Sequence, residues 1–207
     1  MSKWYPAAVE RPPAHLLPTG HEADMTPPAP GELETLRSFL ALHDHTAESV
    51  ESLAPSAASL EWWLRWSGLL DGGESASESD LAWAADVHEA LHSKVLANMG
   101  DPLPDRDARI LDDAARDAGV RVTFAEDGVA RISPTAGGVA GAIGRLLALL
   151  TLAELDGSWG NFKECGSPTC RAVFYDRSKN HTGRWCSMRT CGNRMKVRAW
   201  RERQAAG

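Results

Sequence analysis

The sequence predicts a mainly α domain with one small β-hairpin (α+β), followed by a C-terminal four-cysteine module that ends in a helix. Three observations lead there. Apolar residues recur at three- and four-residue steps through most of residues 32–157. Two short β-prone runs flank Glu126-Asp127-Gly128 inside that stretch. All four cysteines fall between positions 165 and 191.

The 207 residues are 43% hydrophobic and 24% charged, which supports a real core and excludes wholesale disorder. No run of eighteen apolar residues occurs; the most apolar stretch, 139–153, is interrupted by Arg145. The N-terminus leads into proline rather than an apolar segment. The expectation is a soluble, cytoplasmic protein with no membrane partner.

Residues 1–31 hold seven of the twelve prolines and read as an extended arm. Leu33, Leu36, Phe39 and Leu40 then open the helical body, assigned to 32–157. Ser59 is positioned to cap a tryptophan-rich helix that Gly68 ends, with Trp63, Trp66 and Leu70 on its core face. A polar loop over 72–79 leads to helices over 80–98 and 105–118, the second ended by Gly119. Runs 121–125 and 129–133 form the hairpin. Pro134 and Gly137-Gly138 precede a long apolar helix, and Asp156-Gly157-Ser158 is the joint to a module over 158–207.

In that module Cys165, Cys170, Cys186 and Cys191 form two C-x4-C pairs joined by fifteen residues. Two tight loops aiming paired sulfurs at each other are what a tetrahedral thiolate site requires. Zinc is the preferred ion, since it is redox-inert and favours four thiolates in structural sites. An iron–sulfur cluster makes similar demands on spacing and stays open. Disulfides are disfavoured in a chain without an export signal. Four thiolates leave no open coordination position, so the metal is expected to hold the fold and not to catalyse.

Charge is concentrated in the same place. The chain carries a net −6, but residues 163–204 hold eleven basic and three acidic side chains, leaving −14 on the remainder. An acidic body with a basic end is the asymmetry expected when that end meets a polyanion. Beyond Cys191 a helix is predicted with Arg194, Arg198 and Arg201 on one face and Val197 and Trp200 docking on the metal core. Guanidinium rows suit phosphate oxygens and guanine edges. The expected DNA contacts are therefore Arg194, Lys196, Arg198 and Arg201, with Arg184 and Arg189 next.

The run CRAVFYDRSKN from Cys170, then RWCSM from Arg184 and CGNRMKVR from Cys191, resembles the CGNR zinc finger. In that family the finger follows a helix-rich domain called ABATE, and its members are regarded as stress-induced transcriptional regulators. Residues upstream, including 59–70 and the long apolar helix, are similar to ABATE. Ala172 departs from the family, where an aromatic is common. The resemblance implies metal ligation by the four cysteines and a DNA-binding, transcription-regulating role. The helical domain would sense a small-molecule or protein effector, or form a homodimer.

A rival motif lies upstream. His88, Glu89 and His92 match H-E-x-x-H, the pattern of a zinc hydrolase, on a predicted helix. Both histidines fall on the face of Leu81, Ala84, Leu91 and Val95, which also suits histidines held by buried hydrogen bonds. His43 and His45 could join them in a second site. No third ligand follows at the motif's usual spacing, so the chain is read as a non-enzyme. A zinc-dependent adaptor docking on an acidic protein is the alternative to DNA binding.

Overall fold

The computed structural model describes residues 26–42, 56–124 and 126–205. Five helices form the body: α1 (Leu33–Leu40), α2 (Ala57–Trp66), α3 (Glu78–Ala97), α4 (Asp105–Asp117) and α5 (Gly138–Leu155). Between α4 and α5 lies the hairpin β1 (Arg121–Phe124) and β2 (Ala130–Ser133), antiparallel with Val122 opposite Ile132. A second hairpin, β3 (Phe162–Glu164) and β4 (Val173–Tyr175), opens the cysteine module, and α6 (Asn193–Ala205) closes it. The predicted α+β class with a terminal four-cysteine module and helix is the observed one. Most of the proline-rich arm lies outside the described residues. At its end Ala29 is buried and donates its N–H to Glu34 Oε2 at 2.7 Å.

The helices start where side chains can answer their free N–H groups. At α3, Ser77 and Asp80 form a reciprocal capping box, placing the start two residues before the predicted one. The cap of α2 is Ser56 rather than Ser59; Ser59 sits one turn in and donates its own N–H to Ser56 Oγ at 3.2 Å. Both serines satisfy the capping pattern, so the sequence reading slipped by one turn. Gly68, at φ +71°, turns the chain after α2, and Leu69 and Leu70 fold back to bond the Leu64 carbonyl.

The loop over 72–79 is tied down. Arg65 donates to the carbonyls of Asp71 and Glu74, and Glu61 accepts the Ala76 N–H at 3.0 Å. Glu74 in turn accepts the Gly138 N–H at 2.6 Å, placing a carboxylate on the positive end of α5. Among the described residues α5 is the one helix long and apolar enough to cross a membrane, and ten of its eighteen residues are buried inside this fold. It is the central core helix. Phe39 and Leu40 of α1, Leu60 and Leu64 of α2, Val87 and Leu91 of α3 pack in one cluster with its Ile143, Leu146 and Leu147.

Trp159, Phe162 and Val173 belong to that same cluster. The chain turns at Gly157 and enters a 3-10 turn, Ser158–Asn161, that packs on α5. Alternation along β4 then does the rest: Val173 and Tyr175 face the body, and Phe174 faces a second, smaller core made with the cysteines. One hairpin is thus a wall with a hydrophobic core on either side.

Candidate metal centre and nucleic-acid interface

The second core consists of Cys165, Cys170, Ala172, Phe174, Cys186 and Cys191, with Trp185 packed against it. Cys165 directly follows β3 and Cys170 closes the turn after it, where Cys170 N–H donates to the Ser167 carbonyl at 3.0 Å and Cys165 N–H to the Ala172 carbonyl at 2.9 Å. Arg171 adopts φ +43°, the bend that returns the chain into β4. The second pair is delivered by a π-helical turn, Met188–Gly192, capped by Ser187 Oγ, so that Cys191 faces Cys186. The four Sγ atoms lie within 4.8 Å of one another, and all four residues are buried.

This arrangement fits zinc. Cys186 Sγ lies 3.7 Å from both Cys170 Sγ and Cys191 Sγ. A tetrahedron with Zn–S near 2.3 Å has sulfur–sulfur edges of about 3.8 Å. The sulfurs are too far apart for disulfides, whose bond is about 2.05 Å. The electrostatics agree with the geometry. Hydrogen bonding from the Cys170 and Cys186 thiols holds Cys165 far below its ordinary value, while Cys186, bonded to that same Cys165, is pushed up. Four sulfurs this close cannot all ionise by themselves, and a divalent cation removes the conflict. Bound zinc would cross-link the two loops with no open position for a substrate.

The ABATE family model, described as "Putative stress-induced transcription regulator", matches residues 33–155, and the CGNR zinc finger model matches residues 161–204. The chain belongs to the ABATE family. It carries its finger C-terminal to the helical domain, in the order the resemblance implied. A search of curated proteins finds no match.

In this ABATE-family chain the six cationic residues singled out from sequence are all exposed. Arg194, Arg198 and Arg201 line one shallow groove along α6 with Asn193, Val197 and Glu202. Arg198 pairs with Glu202 at 2.8 Å along the helix. Lys196 lies on another face of the helix. Arg184 precedes Cys186 and lies over the Trp185 ring at 5.4 Å, and Arg189 stands in the π-helical turn between Cys186 and Cys191. The docking expected of α6 is corrected: Met195 and Ala199 are its half-buried residues, whereas Val197 and Trp200 are 48% and 56% exposed.

His88 and His92 are each 1% exposed, with ring centroids 4.7 Å apart and the rings tilted at 52°. His92 Nε2 donates to the Leu40 carbonyl at 3.1 Å, and its Nδ1 lies 3.6 Å from Glu164 of β3. Phe39 meets His88 edge-on at 5.4 Å. His43 and His45 lie outside the described residues. Among the described residues the four cysteines form the one cluster spaced to hold a metal.

Two elements of the site were missed from sequence. Asp176 is 3% exposed and accepts from Lys163 Nζ at 2.7 Å, Ser178 N–H at 2.9 Å and Gly183 N–H at 2.7 Å. Burial opposes its ionisation, but Lys163 and the two loop amides outweigh that and hold its carboxyl well below the usual range. The Asp-x-Ser spacing, typical of an Asx turn, was the available signal. Asn98 was the other: its Nδ2 donates to the carbonyls of Trp159 at 2.8 Å and Phe162 at 3.0 Å, stitching the end of α3 to the module.

Proposed function

We propose that this chain is a soluble, cytoplasmic DNA-binding transcriptional regulator without enzymatic activity. One observation carries the reading: Arg194, Arg198 and Arg201 are exposed around a single groove on one face of α6, a helix that continues directly from the turn carrying Cys191. A helix held this way by a zinc-stapled base fits a duplex groove, with guanidiniums reaching phosphates and base edges. Lys196, Arg184 and Arg189 add positive charge around it. The helical body supplies regulation, through a small-molecule or protein effector or through dimerisation. The acidic body limits nonspecific adhesion to DNA. The buried H-E-x-x-H histidines support the non-enzymatic reading, because His92 spends one ring nitrogen on a backbone carbonyl and both rings are sealed from water.

The test is a binding isotherm across salt concentrations. With about five phosphates neutralised, log affinity falls against log salt with a slope of about −4 to −5. Binding that ignores salt removes the mechanism. A second reading, an adaptor docking on an acidic protein, has its own support in the exposed Val197, Trp200 and Met188 beside the cationic row. The double variant Arg198→Ala/Arg201→Ala separates the two. DNA retention collapses under the first reading, and only protein capture changes under the second.

A further inference from the structure

The segment between Asp176 and Gly183 carries no metal ligand, and every residue from Arg177 to Thr182 is exposed. It is nonetheless held in one shape. The buried Asp176 carboxylate grips the Ser178 and Gly183 amides from inside, and Lys163, bound to that carboxylate, also donates to the His181 carbonyl. His181 N–H donates to the Ser178 carbonyl at 3.0 Å, and Thr182 N–H to Ser178 Oγ at 3.1 Å. At Gly183 a Cβ would fall 2.7 Å from the carboxylate, so the loop closes directly over it. His181 is held at φ +49°, a strained conformation for a residue with a side chain.

A slack linker would join the two cysteine pairs equally well. Burying an aspartate with a lysine and straining a histidine is costly, and the segment so fixed buries no side chain of its own. What the loop does is aim Arg177 and Lys179 outward, and neither pairs with a carboxylate among the described residues. Rigid loops that present unpaired cations are suited to phosphate, because the ordering cost is met before binding. We propose that this loop is a phosphate clamp: Arg177 and Lys179 grip the sugar-phosphate backbone of a DNA duplex while α6 presents its guanidinium row, and Asp176 acts as the positioning residue. The proposal rests on the DNA-binding reading and extends it to residues outside the α6 groove.

The experiment uses the full zinc-loaded chain and a mixed-sequence DNA duplex titrated across salt concentrations. For Arg177→Gln/Lys179→Gln the log–log salt slope is expected to shrink by about 2, with affinity lost to a similar extent on every sequence tested. Asp176→Asn leaves both cations in place but frees the loop, and is expected to lose at least half of that affinity difference. One zinc per chain in each variant, measured by thiol-reagent release, certifies that the finger is folded. Wild-type binding with an unchanged slope in the double variant overturns the clamp alone. Absence of wild-type binding overturns the DNA reading with it, as does a loop that matters only for capture of an acidic protein.

Discussion

Asp176 shows how one carboxylate can set the shape of a surface. Its three donors come from β3, from its own turn and from the far side of the loop, so removing its charge disconnects all three. Asp176→Asn leaves Lys163 partly buried without its counter-ion and is expected to cost about 3 kcal/mol in denaturant unfolding. The pH dependence has a definite sign. The folded carboxyl lies below its unfolded value of about 3.9, so its contribution is complete above that pH and is lost as pH falls toward the folded value. The stability difference between wild type and Asp176→Asn should therefore stay constant from pH 7 to about pH 4 and narrow below. A difference that grew on acidification would contradict the ion pair. The Asx turn of Asp176 and Ser178 left a signal in the sequence, but the ion pair did not, because Lys163 and Asp176 meet only once β3 and β4 pair, with Lys163 opposite Phe174.

The elements divide into those that local pattern announces and those that tertiary space decides. Helices α3 to α5 and the first hairpin were readable because periodicity, the terminating Gly119 and the turn at Glu126-Asp127-Gly128 act within a few residues. The cysteine spacing was readable because metal geometry restricts it so strongly. The orientation of α6 was not. A helical wheel offers Val197 and Trp200 as an apolar pair, and also Met195 and Ala199; which pair is buried depends on the wall the helix meets. Here Met195 and Ala199 are the half-buried pair, and Val197 and Trp200 are the exposed one. Trp200→Ala is accordingly expected to change stability by no more than about 0.5 kcal/mol, against the roughly 3–5 kcal/mol of a buried tryptophan. Thermal unfolding of the zinc-loaded variant decides between those values. Trp200 then remains available to a partner, where its loss would weaken binding without weakening the fold.

At the scale of the whole molecule, two cores of unequal size share one hairpin, and this sets what metal removal does. The body's core draws on five helices and includes Phe162 and Val173, with Tyr175 packed against it. The finger's core is four cysteines, Ala172 and Phe174 with a half-buried Trp185, too little apolar surface to fold alone. Structural zinc contributes roughly 10–16 kcal/mol of apparent binding energy to such modules, more than this core could supply. Exhaustive chelation should therefore unfold residues beyond β4 while the body stays folded, and the boundary should run along the hairpin. In amide exchange, protection would persist at Leu91, Val95 and Leu146 and vanish from Cys186 through α6, with β3 and β4 intermediate because they lose one face and retain the other. Far-ultraviolet dichroism would fall by about the share of α6, and under the proposed DNA-binding function salt-dependent retention of DNA would go with it. A finger that kept its protection without metal would show that packing, and not thiolate coordination, organises the cationic end of the chain.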